Sequence, residues 1–438
     1  MLRRLACLTA ALAALTVNPT AATDFNTLGS DYNAVAQVQA TDDVSHDTTQ
    51  QQQSTTGSAT QTTHIQYSIR NGDVSSIGVN LGSWLVAEHW MTSAADFWQG
   101  VSDEDAGKGE YTAITKASDP DTIRSNLDYH HSTFITEKDI AEIAAAGLNT
   151  VRVPVGYWIV GFDNDDPSGQ AAWAQYSNGT LKYLDALVTN WANKHNIAVL
   201  FSLHAAKGSQ NGADHSSPCD PGNSHWSAYD ENVANTVSLA TFLADRYKDE
   251  DAFLGIGLLN EPNASTDEDK LYAYYEKAYA AIRTLSDCVL SVAPLLYKQS
   301  PDVMTDFMQA PAYTNVWVEW HPYFVWGYES TSEYDLTNTA VKTNFQNSVS
   351  QWNARENHNR LFIGEWSFAT AGKFGDDQEG YYEFCKAMVD VMYQAGGGFT
   401  FWSWRLYGDE SGFNAWSLRS VLRDTRLKSI FFPNAAQS

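Results

Sequence analysis

Two glutamates in this sequence follow runs of apolar residues, a position from which carboxyl groups can do acid–base chemistry. Glu261 comes just after the apolar run 253–259, and Glu365 ends the run 361–365. An unpaired carboxylate in an apolar setting is costly, so such groups have partners or border a wet cleft, and they cluster at functional sites. Two carboxyls facing each other suit cleavage of a glycosidic bond, in which one protonates the leaving oxygen and the other attacks the sugar carbon.

The two glutamates need opposite protonation states for this chemistry. A cation such as Arg152 beside Glu365 would keep that carboxyl ionised, whereas burial and the second negative charge are expected to raise the pKa of Glu261. Asn260, beside the acid, is expected to hydrogen-bond a sugar 2-hydroxyl. The separation expected between the carboxyls of such a retaining pair is about 5 Å.

The elements that must position these residues are short β-type runs that alternate with stretches of helical period. The predicted strands are Ile77–Gly82, Thr150–Val155, Ala198–His204, Leu254–Leu259, Val289–Ala293, Val316–His321, Leu361–Glu365 and Gly398–Trp404. The predicted helices are one that begins at the Thr136 cap and stops at Gly147, and others over about 181–194, 231–247, 270–286, 339–353 and 380–394. Residues 66–438 therefore predict an α/β fold, a (β/α)₈ TIM barrel with long βα loops, whose fifth unit shows little regular period.

Polar and aromatic residues crowd the predicted strand ends, where the chemistry of such a barrel takes place. They are Trp84, Glu88, Arg152, His204, Asn260, Glu261, His321, Tyr323, Glu365 and Trp402. Each also has an ordinary explanation, since an arginine can tie down a core carboxylate, a histidine can be buried and satisfied, and a tryptophan can pack. Their joint placement favours a functional site.

The charge balance excludes some partners. The chain has 52 Asp+Glu against 27 Lys+Arg, which argues against nucleic acid and anionic membranes and favours a neutral substrate. No cofactor or metal is predicted. The histidines that could be imagined as metal ligands lack a recognised spacing; they are His130, His131, His204, His215 and His321.

The N-terminal segment predicts secretion. Residues 1–22 combine a basic start, a short apolar stretch and small residues, which is typical of a signal peptide. Residues 23–65 form a polar, low-complexity leader. The protein is therefore expected outside the cell or in the cell wall, free of the membrane once the signal is removed.

Cysteines and sequons add little constraint. Removing the signal peptide leaves Cys219, Cys288 and Cys385, so at most one bridge can form within the chain. Asn178 and Asn263 begin glycosylation sequons, and the first is the better candidate because the second lies beside Glu261.

Several motifs together resemble a known family. Leu258–Pro262 (LLNEP) is similar to the signature of glycoside hydrolase family 5, a group of retaining (β/α)₈ hydrolases. The segments that resemble its fungal and oomycete exo-β-1,3-glucanases are 78–88 (GVNLGSWLVAE), 147–158 (GLNTVRVPVGYW), 203–212 (LHAAKGSQNG) and 363–367 (IGEWS).

The resemblance implies a role for each matching residue. Glu261 would be the acid/base and Glu365 the nucleophile. The residues around the reacting sugar would be Arg152, His204, Asn260, His321 and Tyr323, and those that hold the terminal glucose would be Glu88, Asn211, Asp214 and Trp402. An aromatic clamp expected at the entrance has Ala213 at one position, with Phe324 and Trp326 as candidate replacements.

The function predicted from these features is a secreted, monomeric exo-β-1,3-glucanase that releases glucose from β-glucan chain ends. The enzymatic alternative is an endo-acting or β-1,6- or β-1,4-glucanase with the same chemistry. A more remote alternative is a non-catalytic protein that binds wall glucan, which would have no use for two opposed carboxyls.

Overall fold

The computed structural model describes residues 63–160 and 173–433, and in these ranges eight parallel strands close into a barrel in sequence order. The strands are β1 Ser76–Asn80, β2 Thr150–Gly156, β3 Ala198–Ala205, β4 Phe253–Gly257, β5 Val289–Val292, β6 Val316–Trp320, β7 Arg360–Ile363 and β8 Gly398–Phe401. Each overlaps a predicted strand, which confirms the (β/α)₈ barrel. The predicted signal peptide and the leader up to residue 62 lie outside the described residues.

Helices surround the barrel and fill the loops above it. In the described ranges the α-helices are α1 Ile65–Asn71, α2 His89–Thr92, α3 Asp103–Ala106, α4 Glu110–Lys116, α5 Pro120–Thr133, α6 Glu137–Ala145, α7 Leu181–Ala186, α8 Asn193–His195, α9 Asp230–Tyr247, α10 Glu268–Ile282, α11 Glu333–Asp335, α12 Gln346–Asn353, α13 Gln378–Met392, α14 Leu418–Val421 and α15 Thr425–Phe431. Two π-helical segments continue α7 and α11; they are Leu187–Ala192 and Leu336–Phe345.

The predicted helices all coincide with helical segments. Helix α6 begins at a capping box between Thr136 and Asp139, and the chain leaves it through Gly147, whose φ of +95° suits glycine. The fifth unit differs from the others, because the fully described segment 293–315 contains only the 3₁₀ turn Leu296–Lys298. The helices before β2 other than α6, and those after β8, were not predicted.

The interior of the barrel becomes more polar along the strands. At the end where the strands begin, α1 places Ile69 in a buried cluster. The strand residues of this cluster are Ala198, Leu200, Leu254, Val289, Trp317 and Phe362. This layer keeps water out of the lower barrel, so polar side chains further along the strands lie on a dry, packed base.

The structure also describes the cysteines and the length and polarity of the helices. Cys288 and Cys385 are free thiols, so no bridge is formed among Cys219, Cys288 and Cys385. Across the described residues, no helix combines the length and the low polarity that crossing a bilayer requires.

The long loop after β1 has a small core of its own, with one carboxyl at its edge. Ala87, Phe97 and Trp98 are among its buried members. Glu110 of α4 is buried beside it and accepts a 2.8 Å hydrogen bond from the backbone N–H of Ala87. Burial raises the pKa of Glu110 to about 8, against the opposing effect of that hydrogen bond. At neutral pH Glu110 is therefore protonated, and it holds the backbone of Ala87, next to Glu88, in place.

We expect Glu110→Gln to change how stability depends on pH. The pKa of Glu110 is 4.5 ordinarily and about 8 when folded, so the folded state binds the extra proton and the free energy of unfolding falls as pH rises through that interval. Glutamine stays neutral and can still accept from Ala87. Calorimetry at a series of pH values should show that the Tm of the variant minus that of the wild type increases from about pH 4.5 to 8. The exposed Glu104→Gln variant should show no such trend, and a pH-independent difference would contradict a buried, protonated Glu110.

Candidate active site

The predicted site residues meet where the strands of the barrel end, around a cavity of about 660 Å³. Eight of them line it: Glu88, His204, Asp214, Glu261, His321, Tyr323, Glu365 and Trp402. Arg152 and Asn260 lie beneath, bonded to one another, and Asn211 donates its Nδ2 to the carbonyl of Glu261 at 3.1 Å. The structure therefore brings all eleven predicted residues into one place, whereas Trp84 is buried elsewhere with its Nε1 on the carbonyl of His131.

Arg152 is fully buried on β2, and its guanidinium joins four side chains. Nη1 donates to Oδ1 of Asn80 and to Oε1 of Glu365, both at 2.9 Å. Nη2 donates to Oδ1 of Asn260 at 2.8 Å and lies 2.9 Å from Oε1 of Glu319. One cation therefore sets the positions of residues that belong to β1, β6 and the loops after β4 and β7.

Glu319 is a buried residue of the site that sequence reasoning missed. It lies two residues before His321, and since side chains alternate along a strand, both point into the barrel. Its Oε2 accepts from Oγ of Ser291 at 2.5 Å and its Oε1 from Nε2 of His321 at 3.0 Å. Burial raises the pKa of Glu319, but the charge of Arg152 and these hydrogen bonds outweigh it and bring the pKa to about 2. The sequence signal for Glu319 was the two-residue alternation along β6, which places it on the same face of the chain as His321.

A close approach of backbone makes room for this carboxylate. A Cβ added at Gly364 would lie 1.9 Å from Oε1 of Glu319. Only glycine fits beside the carboxylate at this point of the chain, directly before Glu365. The glycine in the Ile363-Gly-Glu sequence is thus required by packing around the buried network.

His321 stands between two carboxylates. Its Nδ1 is 2.7 Å from Oε1 of Glu261, and its Nε2 faces Glu319 on the other side. Burial lowers the pKa of His321, but Glu365, Glu261 and Glu319 together raise it to about 10. The imidazole is therefore a cation that donates from both nitrogens.

The expected rise in the pKa of Glu261 is wrong for this structure. Burial does raise the pKa of this carboxyl, but the hydrogen bond and charge of His321, with smaller effects of His215 and Arg152, bring it to about 2. The sequence did not reveal that a histidine would lie so close. Between about pH 2 and pH 10 the Glu261–His321 pair holds one proton, which resides on the imidazole side of the hydrogen bond.

Glu365 is held at both oxygens. Oε1 accepts from Arg152, and Oε2 accepts from the hydroxyl of Tyr323 at 3.0 Å. Burial and the neighbouring carboxylates raise the pKa of Tyr323 well above its ordinary value, so its hydroxyl keeps the proton that it donates. One oxygen of Glu365 lies within 4.8 Å of an oxygen of Glu261.

Several buried polar atoms at the site have no hydrogen-bond partner among the described residues. They include Nδ2 of Asn260 and Oε1 of Glu88. The other oxygen of Glu88 accepts from Nε1 of Trp90 at 2.8 Å, and burial together with Asp214 raises the pKa of Glu88 well above its usual range. Because buried polar groups are normally paired, polar atoms left open at and beneath the cavity suit hydroxyl groups of a ligand.

Aromatic residues form the rim of the cavity. Trp326 is 66% exposed, and its ring lies 6.0 Å from that of Trp416, which in turn contacts Trp90 at 5.4 Å. Of the two candidate clamp residues, Trp326 lines the cavity, whereas Phe324 is buried against Phe345 and Phe384. The lining residues that sequence reasoning did not assign to a sugar site are Trp90, His215, Leu296 and Trp416.

One group of side chains has the composition of a metal site. Donor atoms of Glu261, His321 and Glu365 lie within 4.8 Å of one another. The 2.7 Å separation between Nδ1 of His321 and Glu261 is that of a hydrogen bond, and a doubly protonated imidazole has no lone pair for a metal. The arrangement is that of a charged hydrogen-bond network, and the residues fit a metal poorly.

The family follows from comparison with known proteins. The family model described as cellulase (glycosyl hydrolase family 5) matches residues 113–408, more than half of the chain. The chain belongs to glycosyl hydrolase family 5. This family 5 protein is therefore a glycoside hydrolase, and the resemblance inferred from its motifs is confirmed.

Curated relatives of this family 5 hydrolase carry a consistent name. A glucan 1,3-beta-glucosidase of Blumeria graminis is 31% identical over 369 residues, which cover 75% of this chain and 82% of the relative. A probable glucan 1,3-beta-glucosidase A of Aspergillus fumigatus is 31% identical over 389 residues, covering 79% and 85%.

Solved structures of low sequence identity share the fold. The rutinosidase from Aspergillus niger superposes with a TM-score of 0.64 at 16% identity, covering 81% of this chain and 98% of that one. The endoglucanase Cel5A from Thermotoga maritima gives 0.51 at 17% identity, covering 83% and 98%. These likenesses support the barrel.

The buried network of this family 5 hydrolase predicts a stability optimum. The lowered pKa of Glu319, about 2, means that its charge stabilises the fold above about pH 4.5 and that this contribution is lost as pH falls towards 2. The raised pKa of His321, about 10, means that its contribution is complete below about pH 6.5 and is lost as pH rises towards 10. Glu319→Gln, which leaves Arg152 and His321 underpaired, should lower the free energy of unfolding by about 3–5 kcal/mol, most between about pH 4.5 and 6.5.

Denaturant unfolding across this pH range checks the expectation. The exposed Glu356→Gln variant changes the same chemical group outside the network and should unfold like the wild type. A Glu319→Gln variant as stable as the wild type at pH 5.5 would mean that the network carries no stability.

Proposed function

We propose that this family 5 hydrolase is a retaining exo-β-1,3-glucanase in which Glu365 is the nucleophile and Glu261 the acid/base. The observation that carries the proposal is the separation of the two carboxyls, with one oxygen of each within 4.8 Å of the other. A retaining pair needs about 5–5.5 Å, whereas an inverting pair leaves about 6.5–9.5 Å for a water molecule. The short separation favours direct attack by a carboxylate.

The surroundings of Glu365 suit a nucleophile. The guanidinium of Arg152 stabilises the ionised carboxyl, and Tyr323 donates to its second oxygen. Both contacts fix the carboxylate before the substrate arrives, which lowers the cost of orienting it for attack.

The surroundings of Glu261 suit an acid that receives its proton from a neighbouring residue. The Glu261–His321 pair holds one proton, and transfer of that proton to the leaving oxygen ends with a carboxylate and a neutral imidazole. Glu319 keeps the imidazole charged until then, because it accepts from Nε2. His321 thus acts as the store of the proton that Glu261 delivers.

The reaction proceeds in two balanced steps. In the first, Glu365 forms a bond to the anomeric carbon, the bond from that carbon to the leaving oxygen breaks with its electron pair staying on oxygen, and this oxygen takes the proton of the Glu261–His321 pair. In the second, a water oxygen attacks the same carbon and gives one proton to the Glu261–His321 pair. The bond from the carbon to Glu365 breaks, which restores the carboxylate. Two inversions give net retention.

The substrate is proposed to be the glucose unit at the end of a β-1,3-glucan. The open Oε1 of Glu88 and the open Nδ2 of Asn260 suit sugar hydroxyls, while Trp402, stacked at 5.6 Å on His204, offers an apolar wall. The relatives named above are glucan 1,3-beta-glucosidases, which supports this linkage. A neutral polymer also suits a chain with a net charge of −25.

The organisation of the chain follows from the same proposal. A polysaccharide of the cell wall is reached outside the cell, so residues 1–22 would be a signal peptide, 23–65 a leader and 66–438 the catalytic barrel of a secreted monomer. Asn178, on an exposed turn, suits a glycan better than Asn263, whose Nδ2 donates to the carbonyl of Asn211 at 2.7 Å.

Proton NMR of a linear β-1,3-glucan in the first minutes of hydrolysis tests the proposal. Free β-glucose should appear first, and its α-anomer only later by mutarotation. α-Glucose as the first product would contradict retention. Oligosaccharides before glucose would establish the endo-acting alternative, and cleavage of only β-1,4- or β-1,6-linked glucan would refute the linkage.

Two alanine variants separate the proposed roles. Glu365→Ala removes the nucleophile and should lower kcat by about 10⁴-fold or more for every substrate. Glu261→Ala should cost about 10²–10⁴-fold on glucan, where the leaving oxygen needs a proton, and far less on an aryl glucoside with an acidic phenol as leaving group. Glu356→Ala, on the surface, is the control. An active Glu365→Ala variant would overturn the assignment of the nucleophile.

A further inference from the structure

The two oxygens of Glu261 have different surroundings. Oε1 is engaged by His321 at 2.7 Å, whereas Oε2 lies 3.5 Å from Nε2 of His215. That distance is too long for a good hydrogen bond. Under the proposed function, the oxygen of the bond being cleaved must lie next to Glu261, so the free side of this carboxyl, where His215 lies, faces the sugar that leaves.

His215 presents one particular nitrogen to this space. Its residue belongs to the 3₁₀ turn Asp214–Ser216, and its ring packs edge-on against His204 with centroids 5.4 Å apart. Nδ1 is buried without a hydrogen-bond partner in the described part of the chain. Nε2 is therefore the nitrogen placed to bind something, and His215 lines the cavity.

The loop that carries His215 is tied to the segment that carries Glu261. Nε2 of Gln210 donates to the carbonyl of Asn260 at 2.8 Å, and Nδ2 of Asn211 donates to the carbonyl of Glu261 at 3.1 Å. These two hydrogen bonds fix the loop of His215 relative to the segment of Glu261. The position of Nε2 relative to Oε2 is therefore set by the packing of the two loops.

We propose that His215 binds the leaving sugar, with Nε2 hydrogen-bonding a hydroxyl next to the bond that is cleaved. The inference rests on the proposed function and deepens it by naming a residue that selects for a sugar as leaving group. When the glycosidic oxygen lies next to Oε2, the hydroxyl on the neighbouring carbon of the leaving sugar comes within hydrogen-bond reach of Nε2.

The test compares three substrates that differ only in what leaves. They are a β-1,3-linked glucose disaccharide, methyl β-glucoside and 4-nitrophenyl β-glucoside. His215→Phe removes Nε2 and keeps a ring against His204, so kcat/KM for the disaccharide should fall about tenfold, the value of one hydrogen bond. The two glucosides, which have no hydroxyl in the leaving group, should stay within about twofold of the wild type.

The pattern across substrates decides the matter. An equal fall on all three substrates would mean that His215 supports the fold or Glu261, and no fall on any would mean that it binds nothing; either overturns the proposal. His215→Gln, which keeps a donor, should recover most of the disaccharide activity. His215→Ala gives the same comparison if the phenylalanine variant does not fold.

Controls separate this inference from the proposed function. His225→Phe alters a histidine of the same loop that pairs with Asp220 outside the cavity, and all three activities should be unchanged. A wild type that cleaves the glucosides but not the β-1,3-linked disaccharide would contradict the proposed linkage alone. The comparison is then made on the β-1,4- or β-1,6-linked disaccharide that the wild type does cleave, with the same outcomes supporting or overturning the role of His215.

Discussion

The site depends on one buried cation. Removing a guanidinium from water is costly unless its charge and hydrogen bonds are matched, and the two terminal nitrogens of Arg152 are matched by Asn80, Asn260, Glu319 and Glu365. These partners come from different parts of the barrel, so each strand must end at the right height for the cation to be satisfied. The requirement that keeps the arginine stable is the same one that orders the carboxylate facing the cavity.

Charge balance in the network explains why two nearby carboxyls can differ in role. Glu319 takes one contact from Arg152 and one from His321, and in doing so keeps the imidazole charged. The charged imidazole in turn carries the proton that a neutral Glu261 would otherwise hold. Glu319 touches no part of the cavity, yet it sets where that proton resides. A side chain at position 364 would collide with the carboxylate of Glu319, so the backbone beside it requires glycine.

Much of the fold could be predicted from the sequence because barrel strands are short, apolar and regularly spaced. The fifth unit was the hardest to interpret, since residues 293–315 contain no α-helix. Strand ends located the site residues, but the pKa of Glu261 could not be predicted, because it depends on a 2.7 Å contact with a histidine 60 positions away. Glu319 was predictable in principle from the alternation along β6. Trp326 was a candidate for the entrance from the sequence, but its packing with Trp416, and that of Trp416 with Trp90, was not predictable, because different loops bring these rings together.

The central claim is that Glu365, held by Arg152, forms a covalent bond to the sugar. Incubation with a 2-deoxy-2-fluoro-β-glucoside that has a good leaving group slows both steps and allows the intermediate to accumulate when its hydrolysis is the slower one. Mass spectrometry of the digested protein should find the fluorosugar on the peptide that contains Glu365. A label on Glu261, or turnover of this substrate to the α-anomer without any label, would contradict the account.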